Sequence, residues 1–410
     1  MKVGMGEMVF ARNLLAGDPR ERARLRRAEN EQLFGVQIAT NDVEEGVRAI
    51  ALAAEAGADW VDLNCGCPIH EATRRGLGSA LLRKPARLST LVRGISEQSA
   101  LPLTVKIRTA SQGQPINVRE VAQELRDAGA AAVTVHGRTA EQRYSKAADW
   151  ELIATVVEDG LKAGSNIPII GNGDIQEWYE ARRRLRESGV QAIMVGRAAL
   201  TKPWIFSEFE KDEAWDLNAA ERVSIYRRLA CYMKEHFYDD ARGRAKAWYF
   251  LPWHLDFFSR YQSYPQSEWE ALSCESPLIQ TRRAFPPDMP PLDRLLSHAS
   301  KEAHEMVAAA LWDADSDTAA MSALNAIAMR EGVFEELAAA PDLIGSETEE
   351  LANVGGTTGG VGEPKTSGKR HRRRSVPPVR TPDEIAALRS ARAAKRAVMG
   401  APPHRDGRAP

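Results

Sequence analysis

The sequence predicts a parallel α/β fold of the (β/α)8 TIM-barrel type, followed by an all-helical domain and a disordered basic tail. Three observations predict it. Strand-like apolar runs alternate six times with helix-length amphipathic segments between Leu33 and Val195, the signature of a parallel sheet with helical crossovers. Each of those six strands ends in a residue with chemistry to offer. Beyond Phe209 the strand rhythm stops and only helical patterns continue. At 410 residues and 43% hydrophobic content, the chain can bury a barrel-sized core and a smaller second one. The expected boundaries are 1–212 for the barrel, 213–340 for the helical domain and 341–410 for the tail.

The elements follow in order. Leu33-Phe-Gly-Val-Gln-Ile38 is a strand, and a helix from Val43 to Ala56 puts Val47, Ile50, Ala51 and Ala54 on one face. Trp60 to Leu63 is a second strand, ended by Gly66 and Pro68. A helix near Ala86 to Glu97 leads to the strand Pro102 to Ile107. Helix Val118 to Ala128 stops at Gly129, and Ala131 to His136 is the next strand. Helix Trp150 to Leu161 precedes the strand Ile167 to Ile170, and helix Glu177 to Glu187 precedes Gln191 to Val195. The later helices are expected at Ala219 to His236, Ala241 to Arg260, Pro291 to Leu311 and Ala319 to Leu337.

The net charge of −1 hides an asymmetry. From Lys365 to Pro410 there are 13 Lys+Arg against 3 Asp+Glu, which leaves 42 against 53 for the rest. An acidic body therefore carries a basic tail. That tail follows a Gly/Thr/Ser-rich stretch and contains Lys369-Arg-His-Arg-Arg-Arg374, which reads as a nuclear-import signal, an RNA-attracting arm or a solvated low-complexity segment. The four cysteines, Cys65, Cys67, Cys231 and Cys274, show no zinc-like spacing, so no metal site is expected. Few cysteines, no apolar N-terminal leader and no long uncharged apolar run predict a soluble protein of the cytoplasm or nucleus, away from membranes.

Gln37, Asn64 with Cys67, Lys106, His136, Asn172 and Gly196 lie at or just past successive strand ends. In a (β/α)8 barrel these ends converge on the catalytic face, whereas an open sheet gathers them at one crevice. Any one of them has a bland explanation, such as a turn Asn or a solvated Lys; six in succession do not. Cys67 sits on a Gly/Pro turn, placed to react, while Cys65 points the other way and is expected to pack. Gly171-Asn-Gly-Asp-Ile175, which holds Asn172, Gly173 and Asp174, and the pair Gly196-Arg197 each open a helix where barrels bind phosphate. Arg197 adds a planar fork of donors. With no Gly-x-Gly-x-x-Gly and no Walker sequence, a mononucleotide phosphate is the expected ligand. In the loop after His136, Arg138, Arg143, Tyr144 and Lys146 form a basic-aromatic patch suited to RNA phosphates and bases, or a solvated loop.

Six strings carry a resemblance: Asp62-Leu-Asn-Cys-Gly-Cys-Pro68, Gly76-Leu-Gly-Ser-Ala-Leu-Leu82, Leu103-Thr-Val-Lys-Ile-Arg-Thr109, Val135-His-Gly-Arg-Thr139, Ile170-Gly-Asn-Gly-Asp-Ile175 and Met194-Val-Gly-Arg-Ala198. Together they resemble the tRNA-dihydrouridine synthases, FMN-dependent (β/α)8 enzymes that reduce the C5–C6 bond of uridine in tRNA. Glu141-Gln-Arg-Tyr-Ser-Lys-Ala-Ala-Asp-Trp150 and Lys202-Pro-Trp-Ile-Phe206 look most like the eukaryotic type acting on uridine 47 of the variable loop. The resemblance implies that Cys67 is the general acid for uracil C5 while reduced FMN gives hydride to C6. A thiol of ordinary pKa, about 8.5, is mostly protonated at neutral pH and suits that task. It further implies that Gln37, Lys106, His136, Asn172, Gly173, Asp174, Gly196 and Arg197 hold FMN, with Lys106 at the flavin N1/C2 edge. Asn64 would meet the uracil or flavin edge, and NADPH or NADH would re-reduce the flavin. The helical domain would grip tRNA, with mRNA as a further substrate, in a monomer whose target uridine leaves its stack.

The family begins with a strand bearing an Ala-Pro-Met-like motif, then a helix, ahead of the segment matched here by Gly6-Glu-Met8. The resemblance therefore implies a chain starting one strand–helix unit late, without the upstream CCCH zinc-finger region and with open sheet edges beneath the flavin. Two other readings follow: a catalytically impaired RNA-binding relative, and a flavin barrel oxidoreductase of a free pyrimidine. The tRNA-type strings and the helical extension stand against the latter.

Overall fold

The computed structural model describes residues 3–142, 144–281 and 284–339. The described residues fall into two compact units: one runs up to Asn172 and includes Glu187–Ile193, and the other comprises Gly173–Arg186 and the described residues from Met194 to 339. The predicted disordered tail with its Lys369–Arg374 cluster lies outside the described residues, and so does Arg143.

The strands are β1 (Val3–Met5), β2 (Val9–Phe10), β3 (Leu33–Ala39), β4 (Trp60–Cys65), β5 (Leu103–Arg108), β6 (Ala132–His136), β7 (Ile169–Asn172) and β8 (Ala192–Met194). They form one sheet in the order β1-β3-β4-β5-β6-β7-β8, with β2 also paired to β3. Every pairing from β1 to β7 is parallel. With the intervening helices this is the TIM-barrel type of α/β fold that the strand–helix rhythm predicts. Among the described residues no pairing joins β8 back to β1.

Ahead of the six predicted strands the structure adds a seventh strand position. β1 pairs with the start of β3, Val3 opposite Leu33, and β2 with its end, Val9 opposite Ile38. The Gly6 N–H donates to the Gly35 carbonyl between them, so the two short pieces act as one interrupted strand. Neither piece is long enough to show a period of two, which is why no strand is predicted there.

Alternation along the strands gives the sheet two chemically different faces. Val36 and Ile38, Val61 and Leu63 with Cys65, Val105 and Ile107, and Val133 and Val135 are fully buried on one face. Helices Val43–Glu55, Pro85–Gln98 and Val118–Asp127 contact this part of the sheet. Asp42 caps the first of these through the Glu45 N–H, and Asp149 caps Trp150–Lys162 through the Leu152 N–H, so the crossovers start where a polar cap permits. The other face is polar and carries the candidate site.

In the helical region of the second unit, Ala219–Phe237 begins with a capping box made by Asn218 and Glu221. Its Tyr226 stacks on Phe258 at 4.2 Å between centroids, inside a core that includes Leu251, Leu255, Leu311 and Trp312. Three predicted helices are each two. Ala241–Ala247 and Leu251–Phe258 are separate because Pro252 sits in the first turn of the second, where its missing N–H does no harm. Pro291–Leu296 and Lys301–Asp313 are separated by Ser300, whose hydroxyl caps the second through the Ala303 N–H. Asp317–Ala328 and Val333–Ala339 are split at Gly332, which has φ 76°. The helix Gln266–Glu275 is an addition. Among the described residues no helix is long and apolar enough to cross a membrane.

Candidate active site

In a parallel sheet, partners in register project to the same side. Gln37 stands opposite Asp62, Asp62 opposite Thr104, Asn64 opposite Lys106, Lys106 opposite Thr134, Arg108 opposite His136, and His136 opposite Asn172. The first unit thus brings Gln37, Asn64, Lys106, His136 and Asn172 onto one face, as their strand-end positions suggest. It also adds Asp62, Thr104 and Arg108, which the sequence reading does not single out. Their signal is the same period of two: Asp62 lies two residues before Asn64, and Thr104 and Arg108 flank Lys106 at the same spacing.

Asp62 is the hub of a hydrogen-bonded series. Its carboxylate accepts from the Thr104 hydroxyl at 2.6 Å and from Gln37 Nε2 at 2.8 Å. Gln37 Oε1 accepts from Asn64 Nδ2 at 2.8 Å. Asn64 Oδ1 accepts the N–H groups of Gly66 at 3.1 Å and Cys67 at 2.9 Å. Burial pushes the Asp62 carboxyl up to about 6, against the hydrogen bonds from Thr104 and Gln37 and the charge of Lys106.

Cys67 lies two residues past the end of β4, half-buried and unbridged. Its carbonyl accepts the Ser79 N–H at 2.9 Å. The neighbouring Gly78, at φ 59°, passes so close that an added Cβ would lie 2.4 Å from that carbonyl oxygen, so the Gly76–Leu82 string packs directly behind the thiol's turn. Burial raises the Cys67 thiol above its ordinary value, opposed by a hydrogen bond from the Ile69 backbone and by the charges of Arg108 and Lys106. The thiol therefore keeps its proton at neutral pH. Cys65 is fully buried on the apolar face and packs, as expected.

The cations around this thiol differ in how they are held. Arg108 donates to the carbonyls of Gly66 at 2.8 Å and Thr139 at 2.9 Å. Lys106 is half-buried and makes no hydrogen bond or ion pair with any of the described residues. Burial, followed by the charge of Arg108, pulls its ammonium down to about 8, while Asp62 and Cys67 oppose that shift. A desolvated ammonium with an open donor set fits a ligand edge rich in oxygen and negative charge, such as the N1/C2 edge of a flavin.

Arg138 departs from the surface patch expected of it. Its side chain is fully buried. Nε donates to the Lys146 carbonyl at 2.7 Å, Nη1 lies 3.3 Å from His136 Nε2, and the guanidinium sits 5.5 Å from the Tyr144 ring centroid. Arg138 thus orders the loop and borders His136, while Tyr144 and Lys146 remain exposed on that loop. In the second unit, Gly173 (φ 134°) and Asp174 (φ 49°) form a tight turn. Asp174 accepts from Arg197 Nη2 at 2.9 Å and from Gln280 Nε2 at 3.2 Å, and the exposed Gly196 precedes the short helix Arg197–Thr201. Arg197 and Asp174 are thereby brought together.

Residues 2–266 match the family model described as dihydrouridine synthase (Dus). The chain is 40% identical over 260 residues to "tRNA-dihydrouridine(47) synthase [NAD(P)(+)]-like" of Homo sapiens, which covers 63% of this chain and 39% of that protein. It is 37% identical over 271 residues to "tRNA-dihydrouridine(47) synthase [NAD(P)(+)]" of Cryptococcus neoformans var. neoformans serotype D (strain B-3501A), covering 63% and 37%. The chain spans about two fifths of the length of these curated relatives. Among solved structures, histamine dehydrogenase from Rhizobium sp. 4-9 aligns with 51% of this chain and 41% of its own, at a TM-score of 0.39 and 15% identity.

Proposed function

This chain belongs to the dihydrouridine synthase family, and from that premise we propose that it reduces uridine to 5,6-dihydrouridine in tRNA, at position 47 of the variable loop. The observation that carries the proposal is Cys67: a half-buried thiol, its proton favoured by burial, on a turn seated by Asn64 at the end of a strand beside Lys106, which makes no hydrogen bond or ion pair among the described residues. Flavin mononucleotide, re-reduced by NADPH or NADH, supplies the hydride for C6 of the uracil when bound. In the first unit Gln37, Lys106, His136 and Asn172 would hold its ring; in the second, Gly173, Asp174, Gly196 and Arg197 form a turn and a helix start suited to a phosphate.

The rest is done by side chains of the chain itself. Hydride arrival at C6 leaves negative charge toward C5, and the Cys67 thiol gives its proton there, forming the C5–H bond and a thiolate. The positive charges of Arg108 and Lys106 act on Cys67 and favour that thiolate until solvent returns the proton. Asn64 would orient the uracil edge. The uridine must leave its stack to reach this face, and the exposed Tyr144 and Lys146 offer a ring and a charge to the displaced strand. The helical region would hold the body of the tRNA, or of an mRNA, with the protein acting as a monomer in the cytoplasm or nucleus.

Replacing Cys67 by alanine tests the proposal. Cys67→Ala should retain flavin and its reduction by NADPH while dihydrouridine formation falls by about 10²-fold or more, the usual scale for a lost general acid. Unchanged turnover would remove Cys67 from the mechanism. A colourless protein that cannot be reconstituted with FMN would leave the RNA-binding relative as the better reading.

A further inference from the structure

We propose that Asp62 is a positioning residue for Cys67: through Gln37 and Asn64, its carboxylate dictates which way two side-chain amides face and so holds the oxygen that seats the Cys67 turn. The proposal rests on the reading of Cys67 as the acid, and deepens it.

The direction of the series follows from what each group can donate and accept. An ionised carboxylate only accepts. Asp62, 1% exposed, takes the Thr104 hydroxyl on one oxygen and the Gln37 NH2 on the other. Once the Gln37 NH2 is turned to Asp62, its oxygen faces Asn64 and accepts from Nδ2. That in turn aims Asn64 Oδ1 at the N–H groups of Gly66 and Cys67. Backbone N–H groups only donate, so the series is pinned at both ends by groups of fixed polarity. Reversing either amide sets oxygen against oxygen or NH2 against NH2 in a buried place, where unpaired polar groups are costly. An amide at position 62 has no such fixed polarity. It can face either way, and the oxygen beneath Cys67 is then no longer assured.

The test uses the full chain and reads the thiol itself. Alkylation of Cys67 by iodoacetamide is followed against pH by peptide mass spectrometry, with the exposed Cys274 as reference and the buried Cys65 as a reporter of unfolding. In Asp62→Asn, a loosened turn lets water reach the thiol, so the Cys67 midpoint falls toward the ordinary thiol value of about 8.5 and its neutral-pH rate rises several-fold over Cys274. Adding Asn64→Asp reverses the series but completes it: the new amide donates to Gln37 Oε1, the Gln37 NH2 donates to the new carboxylate, and that carboxylate still accepts from Gly66 and Cys67. The pair-swapped variant should return the rate to the original value or below.

An unchanged profile in Asp62→Asn overturns the proposal, and so does a pair swap that stays as reactive as the single variant. If Asp62 serves only as a counter-charge, its effect disappears in a Lys106→Met background; persistence there supports the relay. Should Asp62→Asn expose Cys65, the pair swap decides, by restored or continued loss of Cys65 protection. None of these readings needs turnover, so failure of the relay is told apart from failure of Cys67 as the acid, which Cys67→Ala reads.

Discussion

Lys106 in the first unit and Lys202 in the second are both withdrawn from water, and they differ in what faces them. The Lys202 amine lies 2.7 Å from Glu177 Oε2 and 2.7 Å from Glu208 Oε2, with all three side chains almost fully buried. Lys106 has Asp62 as its nearby opposite charge, but that carboxylate already takes bonds from Thr104 and Gln37, and the ammonium makes none of its own among the described residues. A buried cation held between two carboxylates ties segments together, here helix Ile205–Lys211 and the turn at Glu177. One left with donors to spare is held ready for something that arrives later. Burial even pushes Glu177 up to about 7 despite Lys202, with the charges of Glu208 and Glu180 adding smaller upward pushes.

The largest effect should come from the complete cluster. Lys202→Met strips the shared cation from two buried carboxylates and is expected to cost about 3–5 kcal/mol of stability, read as a lowered denaturant midpoint. Wild-type stability in that variant would show that the cluster is not what holds those segments. The matching change at the other lysine should do the opposite. Lys106→Met removes a desolvated ammonium that makes no hydrogen bond or ion pair among the described residues, so stability should hold or rise while flavin binding weakens by about 10- to 100-fold, the scale of one hydrogen bond to a charged group. A destabilised Lys106→Met that keeps its flavin would erase the contrast between the two lysines.

How much of this was legible in the sequence depends on what each feature needs in order to show. The strand-end residues Gln37, Asn64, Lys106, His136 and Asn172 were legible because parallel strands separated by helices can only bring such positions to one side of a sheet. Asp62 was not, because inside Trp60–Cys65 it reads as an interruption of an apolar run; its meaning appears only once Gln37 and Thr104 are its neighbours in register. Arg138 looked like a surface cation, since one charge in a polar loop gives no sign that its guanidinium will be enclosed by His136, Tyr144 and the Lys146 carbonyl. The helical region was readable as helices but not as helix lengths, because Ser300 and Gly332 set boundaries inside patterns that apolar periodicity runs straight through.

The smallest expected effect is a pH dependence that only the incomplete site should show. Lys106 sits at about 8 in the folded protein, below the 10.5 of an ordinary lysine, so its charge is disfavoured by folding. By linkage, that group contributes stability that is present above the unfolded value and lost as pH falls through about 8. Asp62, raised to about 6, works the other way: its contribution is present below the ordinary carboxylate value and lost as pH rises through about 6. Near neutral pH the first unit therefore carries both charges at a cost, and a negatively charged ligand on Lys106 offsets part of it. On the proposed reading, a reduced, anionic flavin would bind the ammonium form. Below about pH 8 that form already exists, whereas above it binding must take up a proton, so affinity should fall by about tenfold for each further pH unit. Titration of reduced FMN at about pH 7, 8 and 9 reads the effect, and Lys106→Met should flatten it. A dependence that survives in Lys106→Met would assign the titrating group elsewhere, and with it the open donor set that distinguishes Lys106 from Lys202.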